Sequence, residues 1–332
     1  PLEKGNGRIP ASVTVGRFTP ETTRLDDAAR AGWLYYVAGN TQDEIARKLG
    51  VSRQTAQRLV AMAVSERLVK VRLDHPIGRC MDLAGALTDR FGLRFCDIVP
   101  ADPDAPGLLT GAAMVAAAEL ERVLKSVEPR TIALGTGRAL KATVEQLPRM
   151  SCPQHRIVSL LGNMMSDGSA TPYNATIAMA ERVGATHYPY PLPVLARDQS
   201  ELAVLHAQEA VRNTIRLGQR ADVTLVGIGQ MGRSAPLVVD GFVPVDEMDA
   251  LVAAGAVGEI TSWIYDRDGH VVDCDFNRRV ASVPLPKAAE RLVIAVAVGE
   301  MKHQALAAAL HGRLVNGLVT NEIVAERLIS TS

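Results

Sequence analysis

Four long polar side chains crowd the start of one short helical stretch: Arg53, Gln54, Gln57 and Arg58. Arginine pairs bidentately with guanine and glutamine with adenine, so these types suit the reading of base edges. Their spacing puts them on one stripe, with Thr55 beside them, while Ala56, Leu59, Val60, Ala63 and Val64 fall on the other. A helix that enters the major groove uses its N-terminal residues in this way. Arg47 and Lys48 just before, and Lys70 and Arg72 just after, are placed to meet phosphates.

A second set of residues suits a small, hydroxylated or anionic ligand. Apolar runs end in glycine-rich segments at Gly135-Thr136-Gly137-Arg138, at Gly162-Asn163 and at Gly227-Ile-Gly229-Gln-Met-Gly232. Glycines let backbone N–H groups approach an anion or a sugar hydroxyl, and a following helix N-terminus favours phosphate. Lys302, at the start of a helical pattern, is a candidate anion ligand, and Asp266 a candidate partner for hydroxyls. The glycine spacing at 227–232 does not match the dinucleotide fingerprint, which argues against NAD. His187, His303 and His311 stand apart from any serine or cysteine nucleophile motif and read as structural. Cys80, Cys96, Cys152 and Cys274 have neither metal-ligand nor redox spacing. No cofactor and no metal is expected.

The elements that must position these residues are legible in outline. Leu25, Ala28, Ala29, Trp33 and Tyr36 share one face of a first helix over about 25–37. Thr41-x-x-Glu44 is a capping box for a second, which Gly50 ends, and Ser52 is a natural N-cap for a third. Alternation over Val69–Leu73 suggests a strand or wing, and His75–Gly78 a hinge. Met81–Phe91 reads as a linking helix. The runs 131–135, 156–162, 221–227 and 291–299 are apolar on both faces, as parallel strands covered on each side by helices are. Glu259–Asp266 and Val271–Phe276, flanking Arg267–His270, read as a hairpin, which suggests a mixed sheet. Tyr188–Pro193 reads as a rigid extended segment whose tyrosines could line a pocket.

The chain of 332 residues has no net charge, but its halves differ. Residues 1–75 carry 12 basic against 8 acidic side chains, and the remainder 24 against 28. A mildly basic end on a mildly acidic body fits a nucleic-acid module attached to a larger domain. No signal peptide or membrane-spanning run is apparent, so a soluble cytoplasmic protein is expected. The expected divisions are a flexible arm over 1–20, a DNA-binding domain over 21–75, and an effector and oligomerisation domain over 76–332.

Taken together the motifs resemble the SorC family of sugar-responsive transcription regulators, a branch related to DeoR-type repressors. They are Ser52–Leu59, Gly135–Arg138, Gly162-Asn163 with Asp167-Gly168 and Pro172-Tyr173, Tyr190–Pro193, Gly255–Gly258, and Lys302–Leu310 with Leu318–Glu322. The resemblance implies a winged helix-turn-helix followed by a larger Rossmann-like α/β domain similar to glucosamine phosphate deaminase and ribose phosphate isomerase, its enzymatic role lost. It implies operator DNA as partner, a small sugar, polyol or sugar phosphate as effector, and a homo-oligomer, commonly a tetramer. Two positions depart from the pattern. Ala139 stands where a hydroxyl residue is common, and Asn321 where aspartate is usual. Both leave an unphosphorylated polyol open as effector. The alternative is a sugar-phosphate isomerase or deaminase with an appended DNA module, for which Glu259, Asp266 and Asp268 are the available carboxylates.

Overall fold

The computed structural model describes residues 20–66, 68, 69, 71, 77–162, 164, 165, 169–171, 173–285, 288 and 290–330. Lys70 and Arg72 of the expected wing, Asn163 of the second glycine segment, and most of the expected N-terminal arm lie outside them. The backbone divides into two compact units, one ending at His75 and the other beginning at Pro76.

The first unit holds α1 (Pro20–Tyr36), α2 (Gln42–Leu49) and α3 (Arg53–Ser65). Its capping follows the sequence. Thr41 accepts the Glu44 N–H, and the Glu44 carboxylate accepts the Thr41 N–H at 2.8 Å. Gly50 closes α2 at φ 67°, a conformation that favours glycine. Ser52 Oγ accepts the Thr55 N–H at 3.1 Å and opens α3. Ile45, Ala46, Ala56, Leu59 and Val60 form the centre of the core.

The inward face of α1 differs from the expected one. Ala28, Ala31 and Gly32 are buried, whereas Trp33 is 56% exposed and Tyr36 also faces solvent. Close approach of α1 to α3 explains this: a Cβ on Gly32 would lie 2.6 Å from the Ala63 Cβ. Small residues admit that packing and bulky aromatics do not. Val64 is likewise exposed rather than part of the buried stripe of α3.

In the second unit α4 (Gly78–Phe91) leads to β1 (Phe95–Val99), α5 (Thr110–Leu124), β2 (Thr131–Leu134) and α6 (Arg138–Gln146). Then come β3 (Arg156–Ser159), α7 (Ala175–Val183), β4 (Thr186–Tyr188), α8 (Gln199–Ala207), α9 (Glu209–Gln219) and β5 (Val223–Gly227). An insertion follows, made of β6 (Gly229–Gln230), α10 (Pro236–Val239), α11 (Val245–Ala253), β7 (Gly258–Ile260), β8 (Trp263–Tyr265) and α12 (Asp275–Arg279). The chain ends with β9 (Leu292–Val296), a 3₁₀ turn at Glu300–Lys302, α13 (His303–His311), β10 (Gly317–Asn321) and α14 (Glu322–Ser330).

The main sheet has seven strands in the order β1-β10-β9-β5-β2-β3-β4, every pairing parallel. Alternate residues of one strand enter different cores. Ile132 and Leu134 pack on one face and Ala133 on the other; Ile294 and Val296 part in the same way from Val293 and Ala295. Burial on both faces is why these strands read as unbroken apolar runs.

The expected hairpin is present only next to its turn, and it lies outside the main sheet. β7 and β8 pair antiparallel around Thr261-Ser262, and with β6 they form a separate three-stranded sheet. Residues 266–270 form the expected turn, after which Val271 bridges Tyr265 antiparallel and the Val272 N–H meets the Ile264 carbonyl at 3.0 Å before the chain enters α12. The seven-stranded sheet therefore stays parallel. β1 and β10 escape the sequence reading. Asp97 interrupts the first, and the second ends in Thr320-Asn321.

Candidate functional site

The carboxyl ends of β2, β5 and β9 open onto a cleft of about 420 Å³. Crevices at that edge are where open α/β sheets bind ligands, and the volume suits a small metabolite. Thr136, Gly137, Arg138 and Ala139 bring the start of α6 to it, and Gly227, Gly229 and Gln230 the end of β5 and β6. Glu259, Thr261 and Ser262 enter from the β7–β8 turn, Asp240 from the end of α10, and Lys302 from the segment after β9. Thr136 Oγ1 donates to the Tyr173 carbonyl at 2.9 Å, which fixes the loop ahead of α6.

The β7–β8 turn is held in an uncommon geometry. Thr261 and Ser262 both have positive φ, 50° and 71°, where a hairpin turn favours asparagine and glycine. Such strain gathers at functional sites. Here it delivers the Ser262 N–H to Glu259 Oε2 at 2.8 Å. Gly229 has to be glycine for the same carboxylate to fit, since a Cβ there would lie 2.1 Å from Glu259 Oε1.

Two cations and two carboxylates line this one cleft. Burial pushes the Glu259 carboxyl above the usual range, against the pull of the Ser262 N–H and of Lys302. Burial pushes the Lys302 ammonium down, offset by Glu259 and reinforced by Arg138. Lys302 Nζ donates to the Ile228 carbonyl at 2.5 Å. Arg138 Nη2 donates to Asp240 Oδ1 at 2.9 Å, and the Tyr173 hydroxyl reaches the same oxygen at 3.3 Å. The Arg138 guanidinium also lies 5.3 Å from the centre of the Tyr173 ring. Burial raises the Tyr173 phenol, with Asp240 adding to the effect.

Thr136, Gly137, Arg138, Gly227, Gly229 and Lys302 thus meet in the cleft, although 166 positions separate the first from the last. Gly135 and Gly162 line a neighbouring cavity of about 40 Å³ with Ser159, His187 and Tyr190. There Gly162 is required by packing, because a Cβ would fall 1.7 Å from the Leu192 carbonyl oxygen. Asp266 is not brought to the cleft. Its Oδ1 accepts the N–H groups of Asp268 and His270 and closes the turn after β8. Asn321, one of the two departures from the family pattern, is buried and caps α14: its Oδ1 accepts the Val324 N–H at 3.0 Å. Asp240 carries no signal in the sequence. It sits in a plain Asp-Gly turn, and no spacing signals that it meets Arg138. By sequence Glu259 reads only as an available carboxylate for the isomerase or deaminase alternative.

In the first unit Arg53, Gln54, Thr55, Gln57 and Arg58 are all exposed on the leading turns of α3. The Thr55 N–H is taken by the Ser52 cap, while Arg53 Nε lies 3.5 Å from Asp43 Oδ1 on α2. No helix among the described residues is long and apolar enough to cross a membrane.

A capped helix pair with a polar leading face, followed by an α/β domain with a strand-end cleft, is the plan of a ligand-responsive transcription regulator. The sugar-binding domain family matches residues 75–330. The erythritol catabolism regulatory protein EryD of Brucella abortus is 33% identical over 303 residues, which cover 91% of this chain and 96% of EryD. The transcriptional regulator LsrR of Klebsiella pneumoniae is 30% identical over 91% of this chain and 92% of its own. The solved full-length sorbitol operon regulator SorC of Klebsiella pneumoniae superposes with a TM-score of 0.66 at 27% identity, over 93% of this chain and 100% of SorC. The chain belongs to the SorC family of sugar-binding transcriptional regulators.

Proposed function

We propose that this regulator controls a carbohydrate or polyol catabolic operon by reading operator DNA with α3 and sensing a small sugar, polyol or sugar phosphate in the strand-end cleft. In this reading residues 21–75 are a helix-turn-helix domain, with Arg53, Gln54, Thr55, Gln57 and Arg58 at the DNA. Residues 76–332 are the effector and oligomerisation domain, an isomerase-like fold without catalytic duty, and the protein acts in the cytoplasm as a homo-oligomer, with a tetramer as the expected form. The observation that carries the effector site is the convergence of Arg138, Asp240, Glu259 and Lys302 on one cleft. EryD and SorC, by their names, belong to erythritol and sorbitol metabolism, which favours compounds of that class.

An effector can alter DNA affinity only by binding one arrangement of the protein better than another. The test follows the anisotropy of a labelled fragment of the regulator's own promoter while sugars, polyols and their phosphates are added. Release or tightening by a member of the panel is expected, without turnover of any of them. A promoter fragment that the protein does not bind, or whose binding no compound changes, counts against this function; turnover would favour the isomerase reading.

A further inference from the structure

The charges that face the cleft cancel. Arg138 and Lys302 are its cations, and Asp240 and Glu259 its carboxylates. Neither cation is idle: Arg138 is bonded to Asp240, and Lys302 donates to the Ile228 carbonyl within the field of Glu259. The Asp240 side chain is only 14% exposed whereas that of Arg138 is 50% exposed. Arg138 can therefore swing toward solvent, but Asp240 stays in the wall, held also by the Tyr173 hydroxyl.

Chemistry then separates two kinds of ligand. A phosphate monoester at neutral pH carries nearly two negative charges and presents acceptor oxygens. Placed here it would draw Arg138 from Asp240 and leave that carboxylate, acceptor against acceptor, beside the new anion. Glu259 would add a second repulsion. A hydroxyl both donates and accepts, so a chain of hydroxyls can donate to the two carboxylates and accept from the two cations with every existing pair intact. Gln230 fits the same pattern: its buried Oε1 has no donor among the described residues, and a hydroxyl supplies one where a phosphate oxygen does not.

We infer that Asp240 and Glu259 set the selectivity of the cleft, which takes an uncharged polyhydroxy compound and discriminates against its phosphate monoester. Rejection of the wrong ligand is built from its unpaired charge. The inference rests on the cleft being the effector site.

Calorimetric titration of the full chain with matched pairs tests it: erythritol against erythritol 4-phosphate, and sorbitol against sorbitol 6-phosphate. The uncharged member of at least one pair should bind at least about tenfold more tightly than its ester, a margin of about 1.4 kcal/mol. Asp240→Asn, which keeps shape and removes charge, should shift that ratio toward the ester by at least about tenfold; Glu259→Gln provides a second variant should the first misfold. Tighter binding of the ester by the unaltered chain, or a ratio unmoved by the folded variant, overturns the inference. Lys302→Met separates the two levels. An ester preference abolished by Lys302→Met would sink the selectivity yet keep the cleft as effector site. Binding indifferent to Lys302→Met, or no binding of any of the four probes, would remove both.

Discussion

The ammonium of Lys302 donates to the carbonyl of Ile228, 74 residues away in the chain, and so ties the segment after β9 to the loop after β5. Glu259 is the carboxylate that offsets the burial of the same ammonium. Lysine and carboxylate form one electrostatic unit on the cleft wall, coupled by charge and not by a direct ion pair. Removing one member of such a unit costs more than removing two, because the survivor is left without its partner. Lys302→Met is expected to lower stability by about 1–2 kcal/mol. Adding Glu259→Gln should restore most of that loss, which a thermodynamic double-mutant cycle would read. Strict additivity of the two changes would refute the pairing.

The same pair makes stability depend on pH in two windows. Glu259 titrates above its unfolded value, so the folded state keeps its proton longer. Stability from this group is present in acid and declines as pH rises from the ordinary carboxylate range through the raised folded pKa. Lys302 titrates below its unfolded value, so the folded state sheds its proton first. Its contribution rises as pH climbs from that lowered pKa toward the ordinary lysine range. Melting temperatures of the Glu259→Gln variant, measured against the unaltered chain, should lack the first slope, and those of Lys302→Met the second. Parallel curves for all three would contradict the assignment.

Asn277 is a structural counterpart outside the cleft. Its amide donates to the carbonyls of Ile264 and Val272 at 2.8 and 2.7 Å, and its Oδ1 accepts the Ile264 N–H at 2.9 Å. Replacement by alanine removes all three bonds, at roughly 1 kcal/mol each, although the Ile264 carbonyl still accepts the Val272 N–H at 3.0 Å. Asn277→Ala is expected to destabilise by about 3 kcal/mol in urea unfolding. A loss below about 1 kcal/mol would mean that water replaces the amide.

At the DNA, Arg53→Ala with Gln57→Ala should abolish specific operator binding while effector binding persists. Both side chains are exposed and neither caps its helix, so the fold should survive the change. Residual non-specific binding should remain strongly salt-dependent, because phosphate contacts carry it. Operator affinity that stays at the level of the unaltered chain would exclude α3 as the reader.

Much of this architecture is local and therefore readable along the chain. Thr41, Glu44, Gly50 and Ser52 state where two helices begin and end, because caps satisfy backbone groups only a few residues away. The runs at 131–134, 156–159, 223–227 and 292–296 state a sheet buried on both faces, because every position in them except the exposed Arg156 is compatible with a core. Of the glycines at the ends of those runs, Gly137, Gly227 and Gly229 mark the cleft, whereas Gly135 and Gly162 line the neighbouring cavity. β1 and β10 are missed for the opposite reason: Asp97 and Asn321 are polar residues made tolerable only by tertiary neighbours.

What the sequence determined by itself is thus the class of protein: a capped helix with a polar leading face, a parallel α/β domain, and glycine-lined strand ends with Lys302 among the candidates. The tertiary structure decided which of those candidates meet. It set Asp240 against Arg138 across 102 residues, drew Glu259 to the cleft by way of a strained turn and a bare Gly229, and left Asp266 to close a turn of its own. Spacing along a chain encodes caps and periodicity, whereas the balance of charge in a cleft depends on which distant side chains the fold brings within a few ångströms.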